Sequence, residues 1–153
     1  YGVGGALVKV TESGGTWSAS EVWRTKSTVM RLKFASAVRW KTSDGDYLFG
    51  LNDGILECMD LRTGKQVWKD DRRAREGEAF GHGQILISDD RIVALTEFGE
   101  LVLVDATPTG YKEVGRVKAL REGEKTWNNP AMVGGRVYVR NAAEMACYDL
   151  TGK

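Results

Sequence analysis

Apolar residues along this chain alternate with polar ones or run in blocks of four to six beside glycine, and no stretch sustains a 3.6-residue period. The pattern predicts short strands and no helices. Three segments share one grammar: an apolar strand, a tight polar turn, and a second apolar strand ending in aspartate. They run from Tyr47 to Asp60, from Ile92 to Asp105 and from Val137 to Asp149. Tyr47, Ile92 and Val137 are 45 residues apart, as are Asp60 and Asp105, while Asp149 falls one residue early. Asn52-Asp53-Gly54 has the side chains that tolerate positive φ in a hairpin, and Phe98-Gly99-Glu100 places its glycine comparably. The third copy has Ala142-Ala143 there, which predicts a turn of another type or greater length.

Each copy has more than its hairpin. Leading strands are expected at Ser36 to Trp40, Gln84 to Ile87 and Ala131 to Val133. After Asp60, the run Leu61-Arg62-Thr63-Gly64-Lys65-Gln66-Val67-Trp68 reads as a turn and a fourth, outer strand; Ala106 to Val117 is an elaborated copy, and Thr151-Gly152-Lys153 has the turn alone. Ala6 to Val10 and Ser20 to Arg24 resemble the last two strands of another unit, with Val22-Trp23 placed 45 residues before Val67-Trp68. Four short strands in about 45 residues is the period of a β-propeller blade. The expected fold is therefore all-β: a partial β-propeller of about 3.5 four-stranded antiparallel blades from a ring of about 7 or 8. Its divisions are a half blade at 1–26, blades at 27–73 and 74–121, and an incomplete blade at 122–153. A sandwich or barrel would explain the strands but not the constant step.

Composition narrows the function. The net charge of +1 comes from 22 basic and 21 acidic residues spread along the chain, so no field concentrates a nucleic acid. No apolar run approaches the roughly 18 residues of a membrane span, and Tyr1-Gly2-Val3-Gly4-Gly5 does not read as a signal peptide. Gly2, Gly4 and Gly5 lack the lysine of a phosphate loop. Cys58 and Cys147 show neither metal spacing nor a disulfide framework; their apolar neighbours predict two buried, inert thiols.

The stretch from Asp60 to Trp68 resembles the blade signature of the pyrroloquinoline-quinone-like (PQQ-like) propellers. That superfamily includes quinoprotein alcohol dehydrogenases and noncatalytic propellers of the bacterial envelope. The resemblance implies that Trp23 and Trp68 tie neighbouring blades together, with Val117 or a nearby residue where the next tryptophan would sit. Turn chemistry and the repeat give Asp60, Gly64, Asp105 and Asp149 structural roles. The superfamily's catalytic branch uses the quinone, calcium, a catalytic aspartate and often a disulfide between adjacent cysteines; nothing here matches that set residue for residue.

Candidate ligand contacts follow from position. His82, the only histidine, precedes a leading strand; Trp127 is 45 residues later and Phe34 is the counterpart one blade earlier, all at the entrance of the expected propeller. Asn128 and Arg140 complete the candidates. His82 has no evident carboxylate or second-ligand motif nearby, and Asp53 and Glu97 read as turn caps. The mixed-charge segments Arg72–Glu78 and Lys118–Lys125 read as solvated interblade loops. No catalytic residue, metal ligand or cofactor is assigned. The leading reading is a noncatalytic binding or scaffold propeller, periplasmic or otherwise exported by its resemblance, whose partners are the remaining blades of a longer parent, a second copy or another protein. The alternatives are a fragment of a quinoprotein dehydrogenase using PQQ and calcium, and a self-associating interaction module.

Overall fold

The computed structural model describes residues 2–70, 79–121, 123 and 125–152. The described residues form thirteen strands and no helix, arranged in four antiparallel sheets. β1 (Ala6–Ser13) and β2 (Thr16–Arg24) form a two-stranded first sheet. The second sheet has the sequential order β3 (Val38–Lys41), β4 (Asp46–Asn52), β5 (Ile55–Asp60) and β6 (Lys65–Lys69). The third repeats it with β7 (Gln84–Ser88), β8 (Arg91–Leu95), β9 (Glu100–Asp105) and β10 (Glu113–Lys118). The fourth holds β11 (Ala131–Val133), β12 (Arg136–Arg140) and β13 (Met145–Asp149). This is the all-β architecture of a partial propeller: repeated meanders stand face to face, with β3 and β4 touching β7 across the gap.

Strand alternation sends each sheet's side chains to two neighbours. Phe49, Leu51, Leu56 and Cys58 leave the second sheet forward and meet Ile85, Ile92, Ala94, Val102 and Val104 of the third. On the third sheet's other face, Val93, Leu95 and Leu101 meet Val137 and Val139 of the fourth. A strand buried on both faces reads as a continuous apolar block, which is why Ile92 to Leu95 has no polar alternation.

The 45-residue step holds for strands but slips within the first hairpin. Asn52 pairs with Ile55 around Asp53-Gly54, both at positive φ (53° and 85°), whereas β8 and β9 are joined through the longer Thr96–Glu100 turn. Met59 therefore opposes Leu48, and Val104 opposes Ile92, so Ile92 corresponds to Leu48 and not to Tyr47. One residue of slip reverses the face: Tyr47 packs into the core ahead of its sheet, while Ile92 and Val137 point back. In the third hairpin Asn141 Oδ1 accepts the Ala143 and Glu144 amides, and no residue there has positive φ; that turn is of another type.

Two expectations need correction. The first leading strand begins at Val38 rather than Ser36; upstream, the Phe34 carbonyl accepts Gln84 Nε2 from the third sheet at 2.9 Å instead of joining a ladder. Cys147 is exposed, although Cys58 is buried, its thiol pushed by burial up to about 12. Both stand two residues before the terminal aspartate, but only Cys58 has a further sheet over it.

Candidate functional site

The segments that lead into β3, β7 and β11 meet on the face of the sheets where the β4–β5 and β8–β9 hairpins turn. They bring Phe34, His82 and Trp127 together. The Phe34 and Trp127 rings stack 7° from parallel with centroids 5.5 Å apart, and the His82 imidazole meets Phe34 edge-on at 5.0 Å. Phe34 is 52% exposed and Trp127 40%, so the stack presents a broad apolar edge to solvent.

Glu97 fixes this cluster and was read from sequence only as a turn cap. Its carboxylate accepts the His82 amide at 2.9 Å and Trp127 Nε1 at 3.0 Å. Partial desolvation works against its charge, but these two bonds together with the electrostatic attraction of His82 and Lys125 hold the Glu97 carboxyl below the usual range. Gly81, at φ 58°, makes the approach possible, because a Cβ there would stand 2.5 Å from a Glu97 carboxylate oxygen. Lys125 Nζ lies 4.6 Å from the Trp127 ring centroid, a cation–π distance. On the other side, Asp53 is paired with Arg31 and Lys33, both at 2.6 Å. The result is an apolar step with acids and bases around it.

Asn128 is half-buried beside Trp127 in the chain, and Arg140 is exposed at the end of β12, opposite Met145. No described contact joins Arg140 to the aromatic cluster. Among the described residues no three His, Cys, Asp or Glu side chains gather to hold a metal ion, and Cys58 and Cys147 are both free thiols. The segment Arg72–Glu78 lies outside the described residues, as do Glu122 and Glu124 of the second loop.

The signature residues are fixed between sheets. Trp23 donates Nε1 to the Leu61 carbonyl at 2.8 Å, and Trp68 donates to that of Thr107 at 2.9 Å, each crossing to the turn of the following sheet. A Cβ on Gly64, at φ 69°, would stand 2.6 Å from the Trp23 ring. Asp60 Oδ1 caps the Arg62 and Thr63 amides, and Asp149 Oδ1 caps that of Thr151. Asp105 instead pairs with Arg91 and Lys112.

A profile of the family described as outer membrane protein assembly factor BamB matches residues 52–153. The chain belongs to this family. Among solved structures, BamB from Moraxella catarrhalis is 17% identical with a TM-score of 0.57, over 97% of this chain and 47% of that one. The quinohemoprotein alcohol dehydrogenase ADHIIG from Pseudomonas putida HK5 is 21% identical with a TM-score of 0.52, over 76% of this chain and 19% of that one. The computationally designed Ika8 protein is 16% identical with a TM-score of 0.55, over 89% and 39%. No curated protein matches the chain. The likenesses to solved structures concern the fold, and the chain spans less than half of each of these relatives. Both a BamB and a quinoprotein dehydrogenase share that fold, so the likeness in structure carries no chemistry by itself.

Proposed function

We propose that this BamB-family chain is part of a noncatalytic scaffold propeller of the bacterial envelope, and that the Phe34–Trp127 stack is where it grips a protein partner. The observation that carries the reading is the exposed, nearly parallel ring pair, braced by Glu97 and edged by Lys125. Exposed aromatics held rigid lose little entropy on binding and are typical interface anchors. Family membership supports a periplasmic or otherwise exported location and a role in outer-membrane protein assembly.

The same reading makes the rest of the ring the work of a longer parent chain. Val133 and Met145 at the fourth sheet are 67% and 73% exposed, an apolar surface of the kind the other sheets cover with a neighbour. Thirteen strands in a match to 47% of the Moraxella BamB scale to about seven four-stranded blades. The divisions at 1–26, 27–73, 74–121 and 122–153 belong to this proposal, supported by sheets of two, four, four and three strands.

Complementation tests it. In cells lacking the parent gene, the wild-type parent restores outer-membrane protein levels, and the Phe34→Ala/Trp127→Ala double variant, accumulating equally, does not. Equal restoration by the double variant removes the stack from the function. Dye-linked alcohol oxidation by the full parent with PQQ and calcium overturns the noncatalytic reading, and a monodisperse dimer of the 153-residue chain in sedimentation favours self-association.

A further inference from the structure

The outer strands align through their ladders. Trp23 pairs with Leu7, Trp68 with Cys58 and Gly115 with Leu103, and in each case the next pairing skips one residue: Val22, Val67 and Val114. Gly115 thus occupies the position of the two interface tryptophans. The expectation of Val117 or a nearby residue narrows to Gly115: the longer Thr107–Gly110 turn places it ten residues after Asp105, where Trp68 stands eight after Asp60. No steric need explains the glycine: its φ is not positive, and a Cβ there would meet nothing within 4 Å.

What the missing ring leaves is a cavity of about 210 Å³ between the third and fourth sheets. Its lining joins Gly115, Leu101, Leu103 and Val117 on one side to Tyr148 and Leu150 on the other. Leu150 is the counterpart of Leu61, whose carbonyl receives Trp23 Nε1: each follows the terminal aspartate, and each donates its amide back across the base of its hairpin, to Gly135 and Asp46. An apolar cavity of about 150 Å³ suffices to bind benzene.

We propose that this cavity is a binding site for a free planar aromatic molecule of indole size with one hydrogen-bond donor. Two equivalent interfaces of the same chain show the shape and polarity that such a position accepts: a ring packed between sheets and an N–H aimed at a turn carbonyl. A free ring is favoured over a partner's side chain because the backbone that would carry one is already in place. Gly115 is paired into the β9–β10 ladder, leaving room for the ring alone.

The test uses indole and the full parent protein. Saturable binding with a dissociation constant on the order of 0.1–1 mM is expected, with intermolecular NOEs from indole to the Leu101, Leu103 and Val117 methyls. Gly115→Trp fills the cavity and reduces indole binding at least tenfold. If that variant fails to fold, the wild-type NOEs decide alone. Absence of binding, NOEs confined to Phe34 and Trp127, or unchanged affinity in a folded Gly115→Trp protein would each overturn the proposal. Tighter binding of N-acetyltryptophanamide than of indole would also overturn it, since the site would then take a peptide.

Discussion

The junction between the second and third sheets and that between the third and fourth are built on the same ladder but closed differently. In the first, Trp68 reaches across to the Thr107 carbonyl and lies 5.9 Å from the Phe49 ring. In the second, Gly115 leaves the ring position empty and the link runs the other way, from Tyr148 Oη to the Ala119 carbonyl at 2.7 Å. A repeat can therefore lose its signature residue and keep its geometry, provided another side chain bridges the gap. What it does not recover is the filled volume.

The largest expected effect separates the two aligned cysteines. In the 153-residue chain, whose fourth sheet has no further sheet over it, a thiol reagent at neutral pH should modify Cys147 at once and Cys58 only as the protein opens, because Cys58 is buried and its thiol is pushed up to about 12. Comparable labelling of both in folded protein would mean that the second sheet is not covered.

Trp68→Ala should cost about 3 kcal/mol in denaturant unfolding, from lost packing and an unpaired Thr107 carbonyl. A loss below about 1 kcal/mol would show that the indole does not close this junction. The mirror experiment is gentle: Gly115→Ala should stabilise by about 0.5–1 kcal/mol, since it removes a strand glycine into open space. Destabilisation there would mean that the glycine is needed.

Between these lies Glu57, which points back from the second sheet where the third has Val102. Glu57 is fully buried, accepts the Met30 amide and Asn52 Nδ2, and leaves Oε1 without a partner. Desolvation raises its carboxyl above the ordinary 4.5. The folded state then keeps a proton that the unfolded chain releases, so its contribution to stability is full below 4.5 and is lost as pH rises through the folded value. Glu57→Gln should raise stability at pH 7 by about 1 kcal/mol and flatten this dependence, read from melting at several pH values. A steeper dependence in the variant would contradict it.

Much of this was legible in sequence, for identifiable reasons. Strand pairs separated by glycine turns announce themselves, and Trp23 and Trp68 recur at the same step, with their place between sheets implied by the resemblance to the PQQ-like propellers. Phe34, His82 and Trp127 could be aligned because each precedes a leading strand. The exposure of Cys147 was not legible, because burial at its position belongs to the neighbouring sheet and not to the local pattern. Nor was Glu97 as the brace of the aromatic cluster, since its partners are 15 and 30 residues away and no spacing rule connects them. Gly115 was hidden by an insertion that only the ladder resolves.

The skipped valines have a consequence for the rim. Val22, Val67 and Val114 are 53%, 41% and 50% exposed, each an extra residue in an outermost strand. An outermost strand offers free amides and carbonyls to any passing chain, and a regular one would invite another molecule to add a strand. The bulge breaks that template at the same place three times, so a protein assembled from repeated hairpins is kept from zipping itself, edge to edge, into fibres.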